Sequence, residues 1–94
     1  MPVEIEMDDA VREAQTAERI RVEIEKLLKD REERWRVCIE APSAHQYWRL
    51  TATTRGFAKQ KILDTRERNF SFIREVLFCW LYEYRVSQPG RPGL

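Results

Sequence analysis

The residue types that most often carry chemistry are sparse in this 94-residue chain, which has one histidine, two cysteines and three glycines. Nucleophilic catalysis needs a Ser or Cys beside a base, and a further group that orients the base. His45 follows Ser43 closely in Ala41-Pro42-Ser43-Ala44-His45, but no orienting group or glycine elbow accompanies them. It reads as an exposed loop histidine. Cys38 and Cys79 lie 41 positions apart, which fits neither a disulfide framework nor a zinc site. Most carboxylates sit early in the chain among basic neighbours at i,i+4 spacing, as in Glu25–Lys29, Lys26–Asp30 and Lys29–Glu33. That pattern supports a helix surface and sets up no raised-pKa acid. Gly90 and Gly93 belong to the C-terminal segment, so no glycine-rich phosphate loop is present. The expectation is a protein without catalysis, cofactor or metal. A small enzyme or ligand pocket, were there one, would be lined by Trp35, Trp48 and Trp80.

Two other chemistries have more residues behind them. The first is phosphate binding. Net charge is only +1, yet residues 1–44 carry eight Lys/Arg against twelve Asp/Glu, whereas residues 45–74 carry seven Lys/Arg against two Asp/Glu. If Trp48 points inward on a strand, Tyr47 and Arg49 point outward, with Arg36 on the same face of a neighbouring strand and Lys59 and Lys61 joining from a third. An open sheet with such side chains holds phosphates and stacks bases. Arg66 and Arg68 add charge at the first turn of the last helix, where free backbone N–H groups favour anions. The simpler reading of this charge split is attraction between the two halves, within one chain or between two.

The second chemistry is apolar association. On a helical wheel over the last long segment, polar residues fall at Glu67, Arg68, Ser71, Arg74, Glu75 and Arg85. Phe78 and Tyr82 stand where that polar face should continue. Phe70, Ile73, Leu77, Trp80, Leu81 and Tyr84 suffice for a core stripe, with Phe72, Val76, Cys79 and Val86 flanking it. The surplus marks an interface built from Phe72, Val76, Phe78, Cys79 and Tyr82, aromatic-rich and charge-poor as interface centres are. A second copy or another protein is the expected partner, unless the first helix covers the same face within the chain.

The elements that would hold these residues follow from periodicity. Residues 1–7 form a flexible lead or short edge strand. A long helix then runs from a cap at Asp8 or Asp9 to about Glu33, with Ala10, Ala14, Ala17, Ile20, Ile24, Leu27 and Leu28 as its stripe. Trp35, Val37 and Ile39 alternate with polar residues, as do Trp48, Leu50 and Ala52, so both stretches read as strands. Phe57–Leu63 is a third strand or irregular. Asp64-Thr65-Arg66-Glu67 fits a capping box and places the start of the last helix near residue 65. The expected fold is α+β in the order α-β-β-(β)-α, a small antiparallel sheet of two or three strands with both helices on one face. Residues 8–87 make one domain and 88–94 a disordered tail. The longest apolar run, Val76–Tyr82, spans seven residues, too few to cross a membrane, and no signal-peptide pattern is visible at the N-terminus. With only two cysteines and no leader, a cytoplasmic location is expected.

Overall fold

A computed structural model describes residues 3–42 and 47–87. Strand β1 (Val3–Met7) leads through a short helix α1 (Asp9–Arg12) and helix α2 (Ala17–Leu28) into strand β2 (Trp35–Glu40). Strands β3 (Trp48–Thr54) and β4 (Phe57–Leu63) follow, then a 3-10 turn (Thr65–Glu67) and helix α3 (Phe70–Ser87). The fold is α+β, with a four-stranded sheet in the order β1-β2-β3-β4.

The sheet is mixed, which corrects the expected two or three antiparallel strands. β1 pairs with β2 in parallel, while β2–β3 and β3–β4 are antiparallel. Val3-Glu4-Ile5-Glu6-Met7 already alternates, but it becomes a strand because β2 offers its edge. Of the expected lead or edge strand, residues 3–7 are therefore the strand: Val3 is buried in the core with the residues of β2. Parallel neighbours require a crossover of a dozen residues or more, and residues 8–34 provide it.

That crossover also explains why the long N-terminal helix is broken. A helix of 25 residues would be about 37 Å long, while a five- or six-residue strand spans only about 17–20 Å. α2, at about 18 Å, matches the strands it must run back along. The break at residues 13–16 has no Gly or Pro. It is made by tight turns, with Ala14 N–H donating to Val11 O and Ala17 N–H to Ala14 O. Val11 is thereby buried, and the stripe Ala17, Ile20, Ile24, Leu28 faces the sheet. Lys29, Asp30 and Glu33 fall beyond the helix, so the observed pairs are Arg19–Glu23 and Arg21–Glu25 instead. Asp8 stands before α1 but does not cap it; its carboxylate accepts from Ala41 N–H at 2.8 Å, tying the end of β1 to the end of β2.

One core lies between the helices and one sheet face. Trp35, Val37, Ile39, Trp48, Leu50, Ala52 and Leu63 meet Ile20, Ile24 and Leu28 of α2 and Ile73, Leu77, Trp80, Leu81 and Tyr84 of α3. Trp35 packs edge-on to Phe57 and Tyr84, and its indole N–H donates to Glu33 Oε2 at 2.9 Å. The three tryptophans named for a pocket, Trp35, Trp48 and Trp80, are all buried packing residues of this core. An open groove of about 640 Å³ between β1, α1 and α2 is lined by residues such as Ile5, Met7, Ala14 and Arg21, and by no tryptophan.

The capping box forms, but around the 3-10 turn. Asp64 Oδ1 accepts from Arg66 and Glu67 N–H, and Glu67 Oε1 accepts from Asp64 N–H. Arg68, at φ −87° and ψ 59°, leaves helical geometry. α3 therefore starts five residues later than expected, with Asn69 Oδ1 accepting from Phe72 N–H.

Candidate functional site

α3, with 18 residues, is the longest helix among the described residues. Its inner face is spent on the core: Ile73, Leu77, Trp80, Leu81 and Tyr84 are all buried. α2 packs on α3 but leaves its outer face uncovered. Phe78 is 64% exposed, Tyr82 68% and Val86 62%. Cys79 is exposed beside them. Coverage of Phe78 and Tyr82 by the first helix is thus overturned, since both rings stay exposed although the 12-residue α2 packs on α3. Phe72 and Val76, included in the expected interface, are half-buried against the core and form the shoulder of the exposed stripe.

Phe78, Tyr82 and Val86 recur every four residues, so they line one side of two successive turns. Their rim is charged by Arg74, Glu75 and Arg85, all exposed. Among the described residues, none of these three joins an ion pair. Glu83, by contrast, points back to β4 and accepts from Lys59 Nζ at 2.7 Å.

The basic residues divide among separate places. Arg36 and Arg49 project from the uncovered face of the sheet, as expected. Both are neutralised there. Arg36 donates two hydrogen bonds to Glu6, at 2.8 and 2.9 Å, and Arg49 pairs with Glu40 at 3.0 Å. The Arg36 guanidinium holds the Glu6 carboxyl below its ordinary range, first by hydrogen bonding and then by charge. Cys38 sits in the same row, its thiol pushed up mainly by burial and then by its hydrogen bond to Glu6.

Lys59 and Lys61 do not share this face, which corrects their grouping with Arg36, Tyr47 and Arg49. Leu63 pairs with Trp48 and lies with it in the core, so by strand alternation Lys61 and Lys59 also sit on the helix-covered side. Their stems run along α3 at its rim, Lys61 over the Phe72 ring at 5.6 Å and Lys59 over Phe57 at 5.7 Å. Arg66 lies in the 3-10 turn, and Arg68 stacks over Trp48 at 5.2 Å. Tyr47 precedes β3 and is half-buried. The uncovered sheet face carries Glu4, Glu6 and Glu40 against Arg36 and Arg49 and is not basic.

Ser43, Ala44, His45 and Gln46 fall outside the described residues, as does the segment 88–94. Among the described residues no group of His, Cys, Asp or Glu is arranged to hold a metal ion. Among the described residues no helix is long and apolar enough to cross a membrane. Comparison with protein-family models, with curated proteins and with solved structures finds no match to this chain.

Proposed function

We propose that this chain is a small protein-interaction module without catalytic activity, which binds through the outer face of α3. The observation that supports the reading is the exposure of Phe78 and Tyr82, one turn apart, on a helix whose opposite face already fills the core. Large aromatics carry much of the energy where proteins meet, and leaving two of them in water is costly for a small domain. Cys79 and Val86 widen the patch, while Phe72 and Val76 close its edge.

The reading is tested by sedimentation of the full chain beside Phe78→Asp plus Tyr82→Asp. Self-association weakened by more than about a hundredfold, with the unfolding transition of the monomer unchanged, is the expected result. Association that ignores both substitutions overturns the proposal.

A second reading, nucleic-acid binding, keeps only part of its expected residues. Lys61 lies over Phe72 and Arg68 over Trp48, with Arg66 two residues before Arg68 in the 3-10 turn, and none of the three has a carboxylate in ion-pair range among the described residues. Asp64 and Glu67, the nearby acids, are occupied by backbone N–H groups. Binding to short RNA and DNA across a salt series tests this reading: salt-dependent affinity lost in Arg66→Glu with Arg68→Glu supports it, and no binding at low salt removes it.

A further inference from the structure

We infer that the occupant of the α3 face is a second copy of this chain, its α3 lying parallel to the first about a two-fold axis that runs along the seam between the two helices. The inference rests on the reading of α3 as an interaction face and adds the partner and its direction. Its basis is where two neighbouring charges, Arg74 and Glu75, fall around the aromatic stripe.

The outward direction of α3 lies midway between Phe78 and Tyr82, opposite the buried Trp80. At about 100° per residue, Ser71 falls on that line, Glu75 about 40° to one side and Arg74 about 60° to the other. Arg74 and Glu75 differ by only about 1.5 Å in height along the helix. Arg85 lies about 40° to the side of Arg74, and Val86 about 60° to the side of Glu75. A two-fold axis parallel to the helices keeps every residue at its height and exchanges the two flanks. Glu75 of one copy therefore meets Arg74 of the other, and symmetry makes the contact twice. Phe78 meets Phe78 and Tyr82 meets Tyr82 across the seam. The two Arg85 side chains stand on opposite flanks, each against the other copy's Val86, over which its stem can lie. An antiparallel pair centred on the same stripe has its axis perpendicular to both helices and keeps each flank on its own side. It sets Arg74 against Arg85 twice and leaves Glu75 facing Val86. Opposite charges meet in the first arrangement and like charges in the second, which selects the parallel pair.

Availability agrees with this pairing. Arg74 and Glu75 are exposed and, among the described residues, neither joins an ion pair within the chain. The area is adequate for a weak dimer. With about 200 Å² per aromatic side chain and two thirds of it exposed, four rings supply on the order of 500 Å². Ser71, Val86 and the stems of Arg74, Glu75 and Arg85 extend this toward the low end of specific interfaces, near about 1,200 Å². Self-association between about 1 and 100 μM is the expected consequence.

The sheet edges are poorer places for a second copy. Antiparallel pairing of two β1 edges centred on Ile5 places Glu4 against Glu6, and pairing of two β4 edges centred on Gln60 places Lys59 against Lys61. Like charges directly across a strand pair are destabilising, and charged edges are how sheets avoid such contacts.

The test uses the full chain and has two arms. The first is sedimentation at low salt. Arg74→Glu places two Glu–Glu contacts in the parallel dimer and should weaken it by about tenfold. Adding Glu75→Arg to that variant reverses both partners and should return the dimer to within about threefold of the original. In an antiparallel dimer Arg74→Glu would instead meet Arg85 and tighten association, so the sign of the effect decides. The second arm is a cross-link. Ser71→Cys, made together with Cys79→Ser, should give a disulfide-linked dimer in air. Helix axes about 8–10 Å apart bring the Cα atoms of two directly facing residues to about 5 Å, within reach of a disulfide. Antiparallel pairing would hold the two residues 71 about 27 Å apart along the helices. A dimer abolished by Phe78→Asp plus Tyr82→Asp, but tightened by Arg74→Glu or not linked through residue 71, overturns the parallel pair and leaves the α3 face standing. A chain that stays monomeric at about 100 μM overturns the second-copy occupant. A dimer indifferent to the aromatic substitutions overturns the α3 face itself.

Discussion

Two surfaces of this molecule have nothing packed on them, and they differ in how their side chains are satisfied. The uncovered sheet face matches all but one of its charges internally: Glu6 takes Arg36, Glu40 takes Arg49, only Glu4 is left over among the described residues, and Thr51, Thr53 and Gln60 fill the rows between. The outer face of α3 matches nothing. Its aromatics stand in water and its flanking charges have no ion-pair partner among the described residues. A face whose charges are mostly matched can remain at the surface, while one with a contiguous apolar patch is more stable when covered. Exposure alone does not distinguish these cases. The sheet face also has an exposed apolar residue, Ile62, but it is isolated, with Arg49 opposite it on β3.

The sharpest break in that comparison falls between adjacent residues of α3. Leu77 is buried and Phe78 is not. Leu77→Ala removes buried volume from the centre of the core and should lower unfolding stability by about 2–5 kcal/mol. Phe78→Ala, measured where the chain is monomeric, should stay within about 0.5 kcal/mol of the original protein. Chemical denaturation of both variants at low concentration checks the contrast. A large loss at Phe78 in the monomer would mean that its ring is structural and that the outer face is no spare surface.

Much of this arrangement was legible in the sequence, and the failures have physical causes. The strand faces Trp35-Val37-Ile39 and Trp48-Leu50-Ala52 follow from alternation, because one face is buried and the other is not. The inner and outer stripes of α3 follow from its 3.6-residue period, as did the expected interface around Phe78, Cys79 and Tyr82. What periodicity does not carry is partnership. Glu4 and Glu6 alternate with Val3 and Ile5 whether or not β2 is available, so the parallel edge strand is decided by tertiary contact. The break at residues 13–16 has no Gly or Pro to announce it and answers to the length of strand that α2 must span. Lys59 and Lys61 illustrate the same limit at the candidate basic site. Their shared side with Leu63 was readable, but which side of the sheet that is depends on Leu63 meeting Trp48.

The two cysteines refine the comparison, because one lies on each surface. Cys79 is exposed on α3, whereas Cys38 is half-buried in the sheet and donates to Glu6. Burial and the Glu6 carboxylate both raise the Cys38 thiol above its ordinary range, which lowers its thiolate fraction. Alkylation followed by mass spectrometry at mildly alkaline pH should modify Cys79 at least about tenfold faster than Cys38. Raising the protein concentration should then slow Cys79 and leave Cys38 unchanged, if the chain self-associates through the outer face of α3. Equal protection of both thiols would indicate a general change in the fold and not a contact on one face.

The smallest expected effect tests whether the sheet face is self-sufficient. Glu6 and Arg36 are both exposed, so their pair should contribute only modestly to folding and should weaken with salt. The folded Glu6 pKa lies below its ordinary value of 4.5. The contribution is therefore fully present above that value and is lost as pH falls through the lowered pKa, when the carboxylate takes up a proton. Arg36→Gln should be slightly less stable than the original chain at neutral pH, and the gap should close in acid. The variant should leave self-association unchanged, because the charge it exposes lies on the opposite surface from α3. A gap that persists in acid would place the role of Arg36 in the packing of its stem. A change in self-association would mean that the sheet face, and not only α3, meets the second copy.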